Sequence, residues 1–412
     1  MSVHNIRKIS LSILREWEDS SNFIDSILDK KFRSNNLSQL DKAYVQNMTL
    51  GIIRNLSLLD YYVEKLRKSK MSSETRRILY VGIYQILLMR TPDHAAVNET
   101  VNLANGKSKG LVNAILRRCI RERETLLEEK NKMPPQDNFS IPEHIYSRWE
   151  RQYGEKKATN IAKHSNTPAS LIIRSNELLG GITDEDLKEC NATKIDDFKG
   201  FYETQKLPLN AIEDGRCYVQ DPSTSLAPHL LNPSSNHTVL DACASPGGKT
   251  AILASLMQNQ GKIIAADVEG PRSERLINNL ERLGVKNTEI LSGDLRATKG
   301  KLINQNIMFD SILIDVPCSN TGVFRRRPDA KWRLMPNFTD ELIKTQLELV
   351  NAIIPLMREG GQLVYSTCSI DEEENTRVIS KIIKTHTHLK KIDEVQLIPN
   401  EINDGAYAAL LG

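Results

Sequence analysis

Two cysteines stand where a thiol could act as a nucleophile. Cys318 lies in Ile312-Leu-Ile-Asp315-Val-Pro-Cys318-Ser-Asn-Thr-Gly322, an apolar run that ends in an acid and then turns. Cys368 lies in Leu363-Val-Tyr-Ser-Thr-Cys368-Ser, where another apolar run leads straight into a thiol. The ordinary state of an unpaired cysteine is a small buried hydrophobe. A thiol on the loop after a strand instead opens onto a cleft, where it can ionise and attack. Either cysteine alone is ambiguous; two at the carboxyl ends of strands in one sheet point to thiol chemistry.

A third segment supplies a ligand loop. Asp241-Ala-Cys-Ala-Ser-Pro-Gly-Gly-Lys-Thr250 joins a strand to a helix. Gly247 and Gly248 permit a tight turn and close approach of the backbone to a ligand, and the helix start offers free N–H donors. Twenty residues beyond Gly247, the strand Ile263-Ile264-Ala265-Ala266 ends in Asp267, where an acid can accept from ribose hydroxyls. The combination predicts a nucleoside cofactor. The rival is a phosphate-binding loop, since Gly248-Lys249-Thr250 matches the end of its motif. Its first glycine, however, would fall at Cys243, and Asp267 would have no task. Gly293-Asp294 ends a further strand with an acid placed to accept from an adenine amino group. Arg325-Arg-Arg-Pro-Asp-Ala-Lys331-Trp332-Arg333 follows Cys318 closely, and its charges and aromatic suggest contacts to phosphates with some stacking on bases.

The elements that must position these residues follow from periodicity. Ile6, Ile9, Ile13 and Trp17, and then Met48, Ile52, Leu56, Leu59, Val63 and Leu66, recur three or four apart, the stripe of amphipathic helices. Ile78 to Met89 is apolar nearly all round, as a central bundle helix would be. No strand pattern interrupts this front, so residues 1–130 are expected to form an all-α domain. Asn131 to Ile141, with Met133-Pro134-Pro135, reads as a linker, and 142–215 as a small α+β connecting region in which Thr183 caps a helix. From Thr238 short apolar strands alternate with helices, so residues 216–412 are expected to form an α/β domain on a mostly parallel sheet. Ligands bind such sheets at the carboxyl ends of the strands, and every motif above sits at one.

Composition narrows the partners. The net charge of +3 is too small to argue for nucleic acid by itself. None of the six cysteines forms a C-x-x-C pair, and the eight histidines complete no zinc pattern, so no metal is expected. Unpaired thiols, the lack of a membrane-length apolar run and a charged first segment lead to the expectation of a cytoplasmic protein without membrane attachment.

Asp241–Thr250, Asp315-Val-Pro-Cys318-Ser and Thr367-Cys368-Ser369 resemble the three signature motifs of the RNA 5-methylcytosine methyltransferases. The front resembles a NusB-like RNA-binding domain at Lys42 to Arg54, Val81 to Leu88, His94-Ala-Ala-Val-Asn-Glu99 and Lys109 to Arg117. The two together resemble the RsmB (Sun/Fmu) family over nearly the whole chain. That resemblance implies a Rossmann-like class I S-adenosylmethionine methyltransferase domain behind a NusB-like domain, in a monomer. It implies methylation of carbon-5 of a specific cytidine in 16S ribosomal RNA, cytosine 967 in the usual numbering. Carried over by position, Cys243, Ala244, Ser245, Pro246, Gly247, Gly248 and Lys249 form the cofactor loop. Asp267, Asp294 and Asp315 are the acids that contact the cofactor, Cys368 is the nucleophile, and Cys318 helps to release product. The sequence departs from the family at Val316 and Asn320, which replace alanine and glycine, at Thr376, which replaces an acid, and in the looser ending Asp404-Gly-Ala-Tyr-Ala. A DNA-type enzyme would need only Cys318 as nucleophile and would leave Cys368 unexplained. A non-catalytic RNA-binding factor would need neither.

Overall fold

The computed structural model describes residues 6–89, 91–336 and 338–412, in two compact units. The first comprises residues 1–167 together with 324–333. Its helices are α1 (Ile6–Asp19), α2 (Ile24–Ser34), α3 (Gln39–Arg54), α4 (Leu56–Leu66), α5 (Ser73–Leu87), α6 (Asp93–Val101), α7 (Gly106–Arg121), α8 (Arg123–Asn131), α9 (Pro135–Asn138), α10 (Glu143–Tyr153) and α11 (Glu155–Ser165). Ser38 and Ser72 cap α3 and α5 by accepting from the N–H groups of Asp41 and Thr75. The stripe from Met48 to Leu66 is interrupted at Asn55, which closes α3 and opens α4, yet both halves face one core with Ile13, Trp17 and the whole of Ile78–Leu87.

Contacts divide the chain elsewhere than its proline-rich stretch. Pro135 takes the first turn of α9, where a missing N–H costs nothing. Ile141 is buried, and Ser140 Oγ accepts from Leu58 N at 3.0 Å. The stretch is therefore packed against the bundle, and α10 and α11 belong to the helical unit.

The basic segment after Cys318 departs from its expected role. Residues 324–333 are part of the helical unit. Arg325 is 3% exposed and Lys331 0% exposed, so neither presents its charge to RNA phosphates. Helix α3 ends at Arg54, leaving carbonyls without helical partners. Lys331 Nζ donates to Arg54 O at 2.9 Å and Trp332 Nε1 to Ile53 O at 2.8 Å. Asp329 accepts from Ile24 N at 2.8 Å, Arg333 donates to Trp17 O at 2.7 Å, and Phe324 packs on Trp149 with ring centroids 5.8 Å apart. Burial pushes the Lys331 ammonium well below the usual lysine range. Of the charges that suggested nucleic acid, Lys331 and Arg333 are spent on helix carbonyls, and Arg325 hydrogen-bonds His164.

The second unit comprises residues 168–323 and 334–412. A small antiparallel sheet in the order β2-β3-β1-β4 contains β1 (Leu171–Ser175), β2 (Thr193–Lys194), β3 (Phe201–Thr204) and β4 (Cys217–Val219), with α12 (Asp184–Glu189) and α13 (Leu209–Glu213) between them. Thr183 and Asp186 close a capping box on α12. Then come α14 (Leu226–Leu231), β5 (Thr238–Ala242), α15 (Gly248–Leu256), β6 (Lys262–Asp267), α16 (Pro271–Arg282), β7 (Thr288–Ser292), α17 (Leu295–Asn304) and β8 (Phe309–Asp315). After α18 (Ala330–Arg333), which lies in the helical unit, follow α19 (Phe338–Ile353), β9 (Met357–Thr367), α20 (Thr376–Thr385), β10 (Lys391–Leu397) and β11 (Ala406–Leu411).

The large sheet has the order β10-β11-β9-β8-β5-β6-β7. Strands β9, β8, β5, β6 and β7 are parallel, while at one side β11 runs antiparallel to β9 and β10 antiparallel to β11. Strand order reverses at β5, with β6 on one flank and β8 on the other, which is the switch point where this architecture binds ligands. The expected Rossmann-like sheet is present, with an antiparallel C-terminal pair added. Among the described residues no helix is long and apolar enough to cross a membrane.

Candidate active site

Register brings the motifs into one row. Ala242 pairs with Ala266 on one side and Ile314 on the other; Asp267 pairs with Ser292, and Asp315 with Ser366. The residues just beyond those pairs are Cys243, Gly293, Val316 and Thr367. Every predicted site residue therefore lies along the carboxyl edge of the five parallel strands.

The loop after β5 turns through two left-handed residues, Cys243 at φ 64° and Gly247 at φ 101°, with a cis peptide between Ser245 and Pro246. Both glycines are needed, for reasons the sequence reading did not anticipate. A Cβ on Gly247 would crowd Leu276 and Leu280 of α16, and one on Gly248 would lie 2.8 Å from Gln220 Nε2. Their bare faces meet protein. Ala244 is buried against α16. Burial pushes the Cys243 thiol up to about 12, which disfavours its thiolate. Beneath the loop, Asp241 is fully buried, and Thr250 Oγ1 donates to its Oδ2 at 2.6 Å while Oδ1 has no hydrogen-bond partner. Burial pushes its carboxyl up to about 7.

Two acids lie on the β6–β7 side. Asp267 Oδ2 accepts from Ser245 N and its Oδ1 from Val268 N, each at 2.8 Å, so the carboxylate is fixed with a lone pair to spare on each oxygen. Gly293 at φ 126° turns the chain into Asp294, whose carboxyl the Arg296 guanidinium holds below the usual range. Such carboxylates suit the hydroxyl and amino donors of a nucleoside. On the other side, Lys249 Nζ reaches across the switch point to Asp315 Oδ2 at 2.7 Å, and Ser366 Oγ donates to Asp315 Oδ1 at 3.2 Å. Burial alone would lower the Lys249 ammonium, but the charge and hydrogen bond of Asp315 raise it above the lysine value, so Lys249 keeps its proton.

The two cysteines meet. Cys318 Sγ lies 3.1 Å from Cys368 Sγ, too far for a covalent bond and close enough for one thiol to donate to the other. Cys368 is the more exposed of the two. The Cys368 sulfur beside it, burial and the Glu374 charge push the Cys318 thiol well above its ordinary value, so it keeps its proton. Backbone bonds sew the loops together: Val316 N donates to Ser366 O, Gly322 N to Cys368 O and Gly405 N to Gly322 O.

Sequence reasoning missed the scaffold under Cys318. Glu374, 0% exposed, accepts from Ser319 N at 3.0 Å, from Ser319 Oγ and from Gln346 Nε2 at 2.9 Å. Gln346 also donates to Pro317 O, and Tyr365 donates to Glu374 O at 2.7 Å. Asn375 accepts from Thr367 Oγ1 and donates to Ser369 O. Glu374 stands in the run Asp371-Glu-Glu-Glu-Asn375, which reads as a solvated acidic turn; its one visible cue is adjacency to the Cys368 motif.

Comparison with known proteins agrees with this arrangement. Residues 228–409 match the family described as 16S rRNA methyltransferase RsmB/F, and residues 4–121 the NusB family. A ribosomal RNA small subunit methyltransferase B from Enterobacter sp. (strain 638) is 33% identical over 401 residues, 93% of this chain and 91% of that protein. A crystal structure titled PH0851 superposes with a TM-score of 0.78 at 21% identity, covering 100% of this chain and 99% of that one. NSun6 from Pyrococcus horikoshii, solved with SFG, an analogue of S-adenosylmethionine, superposes with a TM-score of 0.59 at 21% identity, covering 66% of this chain and 97% of that one. Spanning nine-tenths of such a relative, with the seven-stranded sheet and the helical front in place, the chain belongs to the RsmB/F family of S-adenosylmethionine-dependent methyltransferases of small-subunit ribosomal RNA.

Proposed function

We propose that this protein methylates carbon-5 of one cytidine in 16S ribosomal RNA through a covalent bond between Cys368 and the base. The observation that carries this reading is the pair of thiols 3.1 Å apart at the carboxyl ends of adjacent parallel strands, beside the Lys249–Asp315 ion pair.

Carbon-5 of cytosine is a weak nucleophile. Addition of the Cys368 thiolate to carbon-6 turns the ring into an enamine and makes carbon-5 electron-rich, dividing one hard step into easier ones. S-adenosylmethionine, when bound, supplies the electrophilic methyl that carbon-5 takes. Asp267 and Asp294 would accept from its ribose and adenine, and the loop from Cys243 to Lys249 would hold it. Lys249 favours the ionised sulfur. Its partner Asp315 faces the same space and can accept from the cytosine amino group. Loss of the carbon-5 proton then restores the double bond as the carbon-6–sulfur bond breaks, returning Cys368 and releasing 5-methylcytidine. A water oriented by Cys318, or Cys318 itself once it has passed its own proton to solvent, removes that proton. The NusB-like front reads the RNA, and the enzyme acts as a cytoplasmic monomer.

The two cysteines should fail differently. Cys368→Ala removes the nucleophile, with an expected rate loss of at least about a thousandfold, roughly 4 kcal/mol of barrier. Cys318→Ala leaves attack and transfer intact and blocks release, so a protein–RNA adduct should survive a denaturing gel run with labelled RNA and S-adenosylmethionine. An adduct on the Cys368 variant instead would exchange the two roles. No adduct on either, with activity tracking folding, would make both cysteines structural.

A further inference from the structure

We infer that Asn320 is a positioning residue for Cys368: its side-chain oxygen holds the Cys368 thiol as a hydrogen-bond donor and so fixes both the direction of the sulfur and the order of protons in the cysteine pair. The inference deepens the reading above and rests on Cys368 being the nucleophile.

Asn320 sits two residues after Cys318 at φ 62°, a left-handed conformation that asparagine tolerates better than most residues. Its side chain touches both cysteines. Nδ2 donates to Cys318 O at 2.9 Å, and Oδ1 lies 3.4 Å from Cys368 Sγ. The first contact fixes the second: a carbonyl oxygen only accepts, so the amide nitrogen must face it and the amide oxygen must face the sulfur. That oxygen attracts an S–H and repels a thiolate.

Cys368 has one proton to donate. With Asn320 as its acceptor, the 3.1 Å sulfur–sulfur contact must be made by the Cys318 proton. The chain therefore runs from Cys318 S–H to Cys368 S–H to Asn320 Oδ1. Several groups act on this chain from other elements. Lys249, from α15, favours a thiolate on Cys368, and Asp315, at the end of β8, offsets it, with Asp241 behind them. On the Cys318 side, Glu374 before α20 and Tyr365 on β9 favour the thiol. Asn320 is an uncharged partner within hydrogen-bonding distance of Cys368 Sγ, and its oxygen accepts from the thiol there.

The test uses the full-length protein and site-resolved alkylation by iodoacetamide, read by peptide mass spectrometry across pH. Asn320→Gly keeps the left-handed backbone and removes the oxygen. The pH of half-maximal Cys368 alkylation should fall by about one unit, a roughly tenfold faster reaction below the midpoint. Asn320→Asp puts a carboxylate at the same place and should raise the midpoint, so a failure of one variant to fold leaves the other informative. A Cys368 midpoint that stays put in the folded variants overturns the inference. The acid limb of kcat/KM for RNA methylation should move with the alkylation midpoint. If alkylation shifts and methylation does not, Asn320 still positions Cys368 and ionisation of Cys368 does not limit methyl transfer; the nucleophile assignment itself stands or falls with the rate and adduct of the Cys368→Ala variant.

Discussion

Asp267 ends β6 with each carboxylate oxygen already engaged once by a backbone N–H, so it is pre-aimed for an arriving donor. Asp267→Ala should weaken S-adenosylmethionine binding by about 1.5–3 kcal/mol, the range for a hydrogen bond to a charged group. Titration calorimetry on a folded variant checks this, and unchanged affinity would remove Asp267 from the cofactor site. Asp241 is the opposite case, an acid that burial pushes up to about 7 beneath the same loop. The unfolded chain ionises near the ordinary value of about 3.9. Between the two values the folded state binds the extra proton, so stability should fall as pH rises from about 4 to 7, by at most about 1.4 kcal/mol per unit, and level off above. Asp241→Asn should flatten that slope. Urea melts at pH 5 and pH 8 compare the two proteins, and an equal pH response in both would assign the slope to other groups. At this scale the sequence was informative where chemistry dictates residue type, at Cys318, Cys368 and the strand-end acids. It was mute on Glu374, because burial of one carboxylate within an acidic run depends on Ser319 and Gln346, distant in the chain.

At the scale of elements, the parallel strands were legible because each is a short apolar run between helices. Strand β11, Ala406–Leu411, escaped notice although all six residues are buried, since a short run of small and apolar residues at a chain end has no flanking helix to mark its period. Its approach bears on the site. Gly405, the residue before β11, donates to Gly322 O, and Gly322 in turn donates to Cys368 O. A Cβ on Gly322 would lie 2.7 Å from both Cys368 O and Gly405 O. Gly322→Ala must therefore separate the two cysteine loops. We expect a loss of about 1–3 kcal/mol in stability and a larger fall in turnover than in S-adenosylmethionine affinity. Thermal melting and steady-state kinetics give both numbers, and an alanine variant with normal turnover would show that the loops yield without cost.

At the scale of the molecule, the sequence suggested a front that ends near residue 130, yet the helical unit runs to residue 167 and takes back residues 324–333. The linker reading failed because prolines at helix starts and prolines in linkers look alike in sequence. The basic run misled at Lys331 and Arg333, because helix-end carbonyls can satisfy cations as well as phosphates can. A chain beginning at residue 168 should expose Phe324 and Trp332, which lose Trp149 and the end of α3 as neighbours. Its expected signature is increased binding of a hydrophobic dye and a lower melting temperature than the full chain. A truncated protein that is as stable and as dye-silent as the full one would mean that residues 324–333 fold without the helices.

The return of residues 324–333 also has a consequence for heredity and handling. The polypeptide passes between its two units three times, near residues 167, 323 and 333. A single proteolytic nick near residue 167 or 323 leaves the downstream fragment still contributing residues 324–333 to the helical unit. Recombination with one breakpoint could exchange the helical front for another only if the incoming front accepted the ten-residue segment left behind in the catalytic half. Lys331, Trp332 and Asp329 would then meet foreign helix ends. The two halves are thus expected to have been inherited as a matched pair, and a chimera built between relatives should function best when residues 324–333 travel with the front.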